Sequence, residues 1–598
     1  TAATGIGAAN SLDLAAGSVD ASVTGTGNIS LNGLGALTLT DVDTVNGGIA
    51  VTAAGLLTST DVVALGSSGD INLRATTLNI NGALASGGGL VLSGSSALNI
   101  DTAVSSAGSV LLQNTGTATI GANISAGTIL SGLNISSVVL NDVSLTTTAG
   151  SIDLSATAGV GAISVGGAAV TITAGGAGDI LLAAISDTGD ASVTNVLLNS
   201  GRSVTIAGIN LNDGVSDGNL QINIDRSATA SSIATLTIDG ALSGLASLTI
   251  AGDTADNDQV FVNENISSGG VVNVSHIDRM EIASGKNVTG SAINFEASVG
   301  RVQLNGAGTT QMTTTGGSIN LVEVVANAST LVLDAGPTNT ITVDSFTGGG
   351  NLRVVDSSTT EFSGAVTAGS ITLSDTSNTV SFLGNTSIGL LSTSNNAYGV
   401  RFLGDTTTIT SNASFANSGS GNGGVSVVLG NAGSDTVTFN SGATANVGSL
   451  QVFGVLQSAS SILSLGNIEV LGNSRIDTTV GQSQAGAALN IGSITGVATP
   501  GLSIDSGVGI TTVAGAVDGL STLTLINSAG ATFQGTAGQT SPFGFVVGAT
   551  TPGQTIAFQN DATFNSITTV NSDAYTLSFT GSNTVVDQFV DFTNNGGL

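Results

Sequence analysis

The stretch GDINLRATTLNINGALASGGGLVLSGSSALNIDTAVSSAGSVLLQNTGTATIGANISAGTIL, residues 69–130, repeats itself. An apolar pair, Ile71 and Leu73, recurs as Leu90 and Leu92, again as Val110 and Leu112, and the series returns at Ile129. A second pair is Leu78 and Ile80, then Leu98 and Ile100, then Ala118 and Ile120. A third position is Leu84, then Val104, then Ile124, and every series advances by 19 or 20 at each step. Within each unit the apolar residues alternate with period two, the mark of a strand with one buried face. Ser86-Gly87-Gly88 and Asn114-Thr115-Gly116 separate the strands as turns. Three short strands per repeat, each lying on its counterpart in the next repeat, make an all-β chain: a parallel β-helix, or β-solenoid.

The same register runs upstream through Ile29 and Leu31, Leu37 and Leu39, Val45, then Ile49 and Val51. Downstream the core changes composition. All 17 Phe lie at or after Phe261; Phe362, Phe382 and Phe402 are spaced by 20, and Phe558 and Phe579 by 21. Like residues at rung spacing are expected to stack as ladders about 4.8 Å apart. The expected organisation is a solenoid with a small aliphatic core over residues 1–260, continuing with Phe ladders over 261–598. The string SNASFANSGSGNGG, residues 411–424, is expected to protrude as a loop. Dividing 598 residues by the period gives roughly 30 rungs and a rod of ~140 Å, with a right-handed coil expected.

A solenoid escapes the size limit on single cores, because each rung needs only its neighbours. Charged residues are 8% and aromatics 3% of the chain, whereas Gly numbers 86. The Glu, Lys and Arg that coat helices are nearly missing, which excludes an ordinary helical domain. With 9 Lys+Arg against 39 Asp+Glu and a net charge of −30, neither nucleic acid nor an anionic membrane surface is an expected partner. Cysteine is absent, which excludes disulfides and thiolate metal sites and agrees with export to the bacterial exterior. Mean hydropathy is positive. Even so, Gly, Ser, Thr, Asn and Asp break every apolar run before the ~18–20 residues of a spanning helix. The only two Tyr, Tyr398 and Tyr575, cannot furnish the aromatic girdles of a membrane barrel. The opening TAATGIGAAN has neither an initiator Met nor a signal-peptide pattern, and the chain reads as a piece of a larger exported protein.

The string Gly108-Ser109-Val110-Leu111-Leu112, followed by Thr119-Ile120 and Ile124-Ser125-Ala126-Gly127, resembles the β-helical repeats of filamentous-haemagglutinin-like adhesins and autotransporter passengers. The resemblance covers most of the chain. It implies secretion across an outer membrane, an extracellular place on the bacterial cell surface, and a part in adhesion, aggregation or biofilm. The acidic, Thr/Ala/Gly-rich, cysteine-free composition is also similar to that of surface-layer proteins. The expected function is structural: an adhesin stalk, filament or surface-layer component. Its expected partners are further copies of the chain, met end-to-end or laterally, or cell-surface glycans.

The alternative is a polysaccharide-binding or polysaccharide-degrading β-helix. Degrading sites need clustered Asp, a cation facing the developing charge, and aromatics under the sugar. This chain has one His, one Lys and no Trp, and no enzymatic activity is expected. His276 falls between the strand residues Val272 and Val274 and the next pair, Met280 and Ile282, so it reads as a turn residue and not as part of a Ser-His-Asp triad. Gly285-Lys286 is followed by Asn287, and the phosphate-loop motif is absent. Metal ligands are the stronger candidates. Asp253-Thr254-Ala255-Asp256-Asn257-Asp258 gathers carboxylates in a turn, and Asn212-Asp213-Gly214 with Ser216-Asp217-Gly218 forms a second cluster. Residues 430–438 resemble one copy of a calcium-binding nonapeptide. Oxygen-only ligands from turns suit Ca2+, which makes Asp253, Asp256 and Asp258 the candidate calcium ligands. Asp and Asn also favour turns for their own local hydrogen bonds.

Overall fold

The structure is a computed structural model that describes residues 1–596 except 115, 191, 213, 215–216, 227–232, 255–256, 420–423, 446, 481–484 and 570–572. Among the described residues there are 62 strands and no helix, and parallel ladders join the strands into a β-solenoid of about 25 turns. Among the described residues no helix is long and apolar enough to cross a membrane. The chain divides into two compact units, Thr1–Gln303 and Leu304–Leu598.

In the first unit each turn carries three short strand segments, stacked in register on their counterparts. Leu90 pairs with Val110, and Val110 with Leu130. Leu98 pairs with Ala118 and then Val138; Val104 pairs with Ile124 and then Leu145. All of these side chains are at most 2% exposed, so the period-two pattern of the sequence is the pattern of the core. Full burial of one such aliphatic side chain is worth about 1.5–3 kcal/mol, and the ladders satisfy the backbone groups that burial would otherwise strand.

Two apolar residues lie elsewhere than the sequence pattern placed them. Leu130, not Ile129, continues the first ladder, and Val42, not Val45, is the third core position of its rung. Ile129 is 48% and Val45 42% exposed. Because side chains alternate, choosing between adjacent apolar residues chooses the face; Ile129 occupies the outward position that Ser109 holds one turn earlier. Corners between strands are tight. A Cβ on Gly127 would sit 1.8 Å from the Ala107 carbonyl oxygen, so only glycine lets that backbone approach the turn beneath it.

The turns are unequal. The ladder steps from Ile71 to Leu90, Val110 and Leu130 advance by 19 or 20, but Ile152 to Ile180 takes 28 and Val204 to Leu236 takes 32. These longer steps bring the total to about 25 turns, fewer than the roughly 30 implied by a uniform period.

The second unit has the expected aromatic ladders. Phe362, Phe382 and Phe402 stack with ring centroids 5.0 and 4.9 Å apart and planes within 7°. Phe558 stacks on Phe533 at 4.5 Å and on Phe579 at 5.6 Å. Part of the segment expected to protrude is core instead. Ala413–Phe415 is a strand stacked on Ala443–Ala445. Phe415 meets Phe402 and Phe439 edge-on at 6.5 and 6.0 Å. The buried Asn417 amide donates to the Tyr398 and Ser426 carbonyls. Ser, Asn and Gly on either side hide this short Ala-x-Phe alternation in the sequence. Residues 420–423 lie outside the described residues.

Candidate metal centre

In the first unit, strand Gly218–Asn223 lies under the end of strand Leu242–Ala251, with Leu220 paired to Leu248, Ile222 to Ile250 and Asn223 to Ala251. Two residues beyond that last pair, each strand is followed by an aspartate, Asp225 below and Asp253 above, at matching places on successive turns. Asp225 takes a positive φ of 50° and is 2% exposed. Asp and Asn tolerate this left-handed conformation better than most residues. Asp258, immediately before strand Gln259–Val262, is 0% exposed. One carboxylate oxygen from each of Asp225, Asp253 and Asp258 lies within 4.8 Å of the other two, so the trio could hold a metal ion.

The Asp258 carboxylate is only half satisfied. Its Oδ2 accepts the Asp253 backbone N–H at 2.9 Å, while its Oδ1 is buried and has no hydrogen-bond partner among the described residues. Burial pushes the Asp258 carboxyl up to about 6; the charges of Asp225 and Asp253 add to the rise, and the Asp253 amide opposes it, as does the nearby Ala234 N–H, which falls short of hydrogen-bond geometry. Gly252 makes room for this arrangement. A Cβ there would lie 2.1 Å from the His276 carbonyl oxygen and 2.4 Å from Asp258 Oδ2.

The second unit holds a comparison. Asp477 and Asp505 stand at the same sequence offset as Asp225 and Asp253, and they are directly paired on successive turns. There Arg475 bridges both, at 2.8 Å to each carboxylate. Burial raises the Asp505 carboxyl, with Asp477 adding and Arg475 opposing. An arginine thus compensates one stacked aspartate pair, whereas the charges acting on Asp258 are both negative.

Of the ligands expected from sequence, the structure brings Asp253 and Asp258 together, and Asp256 lies outside the described residues. Asp225 is a functional candidate that sequence reasoning missed. Its signal is the match between Leu220-Gln221-Ile222-Asn223-Ile224-Asp225 and Leu248-Thr249-Ile250-Ala251-Gly252-Asp253, visible only at an offset of 28. In the second acidic cluster, Asp213 and Ser216 lie outside the described residues, and Asp217 accepts the Asn212 side-chain amide at 2.7 Å. In the nonapeptide-like string, Asp435 Oδ2 accepts the N–H groups of Asn431 and Ala432 at 2.7 and 2.9 Å, a turn closed on itself. His276 sits in the bend between strands Val272–Ser275 and Arg279–Ile282, at a φ of 54°. Lys286 pairs with Glu264 at 2.8 Å.

No family model matches this chain, and neither does any curated protein or solved structure.

Proposed function

We propose that this chain is a structural protein of the bacterial cell surface, an adhesin stalk, filament or surface-layer component that works through stiffness and self-association. The carrying observation is the split between inner and outer ladders. Inward positions are apolar turn after turn, while an outward ladder runs Thr38, Thr58, Asn79, Asn99, Thr119. Asn99 donates to Asn79 at 2.8 Å along that ladder. A scaffold of stacked similar units gains stability with every turn added and needs no deep cavity. The acidic composition keeps such a surface soluble, and the absence of cysteine suits passage to an oxidising exterior.

Immunogold labelling of intact cells tests the location: gold on the outer surface supports the reading, and label confined to the interior overturns it. Negative-stain electron microscopy of the purified chain tests the mode of action. Ordered sheets or fibres would mark a lattice or filament component and lone rods a stalk, whereas compact globules would sink the structural reading.

One feature favours glycan binding as a second reading. Thr173, Asn199, Gln221, Asn223 and Arg226 line an open groove in the first unit, where Asn223 donates to Asn199 at 2.7 Å. A polar ladder of this kind offers donors and acceptors to sugar hydroxyls. A depolymerisation assay showing turnover that one Asp→Asn change abolishes would replace the structural reading with an enzymatic one.

A further inference from the structure

We propose that Asp225, Asp253 and Asp258 form a calcium site that staples two successive turns of the first unit. Three observations meet there. The donors are all carboxylate oxygens, and the three that converge lie within 4.8 Å of one another. Calcium takes oxygen ligands at about 2.3–2.6 Å, so oxygens that share one ion stand no more than about 5.2 Å apart, a limit this trio meets. Magnesium demands near-ideal octahedral geometry and gives up its water reluctantly, so carboxylates gathered from two turns suit it less. Asp258, wholly buried, leaves Oδ1 without a partner among the described residues. A buried carboxylate needs a counter-charge or a full set of hydrogen bonds, and the equivalent stacked pair in the second unit has Arg475. A divalent cation facing Asp258 Oδ1 would supply such a counter-charge in the first.

The donors come from two places in the chain. Asp225 follows strand Gly218–Asn223, whereas Asp253 and Asp258 lie between strands Leu242–Ala251 and Gln259–Val262. The ion would therefore tie Asp253 and Asp258 to the turn beneath them. The longest ladder step noted above, from Val204 to Leu236, includes Asp225, so the staple sits where the turns depart most from the short repeat. Such a staple would hold the two turns together wherever the protein resides.

The test is calcium titration of the chelator-stripped chain by calorimetry, with thermal unfolding in parallel. Wild type should bind calcium at one site stronger than the diffuse binding of its acidic surface and should melt at a higher temperature as calcium is added, with magnesium acting more weakly. Asp258→Asn should lose that site. Asp225→Asn, which keeps a residue type tolerant of positive φ, should weaken it at least tenfold and still fold. Asp375→Asn, in an acidic ladder of the second unit, should leave it unchanged. Wild type without a distinct site, or an Asp225→Asn variant that binds as wild type does, overturns the proposal. So does an Asp258→Asn variant that is more stable than wild type at every calcium concentration, which would mean that the trio is held by a shared proton.

Discussion

Asp258 concentrates the electrostatics of the first unit in a single side chain. Burial raises its folded-state pKa from 3.8 to about 6, so the folded protein holds this proton more tightly than the unfolded chain does. In calcium-free buffer the resulting stability is fully present below about pH 4 and is lost as pH rises through about 6. The raised value corresponds to roughly 3 kcal/mol at most. Unfolding measured across this range should show the fall in wild type and a shallower one in Asp258→Asn; parallel curves for the two would refute the assignment. Asp505 in the second unit is raised by burial in the same sense, so part of the slope should survive in the variant. Gly252→Ala should disturb the same locality, because the new methyl group would meet Asp258 Oδ2 and the His276 carbonyl. Its melting temperature should drop, and any calcium response should weaken with it.

At the scale of strands and ladders, the Phe stack is the clearest cooperative element. Phe382 lies between Phe362 and Phe402 with both rings about parallel to its own, and Phe382→Ala should cost about 3–5 kcal/mol. A double-mutant cycle with Phe402 should return a coupling of about 0.5–1.5 kcal/mol; additive losses would mean that the rings fill space without interacting. This ladder was legible in the sequence because its rungs are equal in length, and the three aliphatic ladders of residues 69–130 were legible for nearly the same reason. Where the rung length changed, legibility failed. Asp225 was invisible to a search at the short period because its partner, Asp253, belongs to a longer turn. Ile129 and Leu130 are equally apolar neighbours, and only the stacking of Leu130 on Val110 separates them. Ala413–Phe415 was lost among turn residues, since so short a strand shows no period. Of the metal centre, the loop carrying Asp253 and Asp258 could be read and the turn below it could not, because proximity across turns is a property of register rather than of local composition.

For the whole molecule, stability should be distributed and local. A solenoid behaves as a chain of units coupled to their nearest neighbours, so Leu112→Ala should cost about 2–5 kcal/mol and expose only the turns near it. Hydrogen exchange should lose protection around residues 90–140 and keep it in distant turns; uniform loss would show that the unit folds as one block. The two compact units give calorimetry a related prediction, a van't Hoff enthalpy below the calorimetric one. The tyrosines are unevenly placed between those units. The chain has no Trp, and its two Tyr, Tyr398 and Tyr575, both belong to the second unit and are 0% exposed. Near-ultraviolet absorbance, tyrosine emission and near-ultraviolet dichroism therefore view the second unit from inside its core, while the first is almost without chromophores. Followed by its tyrosines alone, half of this protein could unfold unseen.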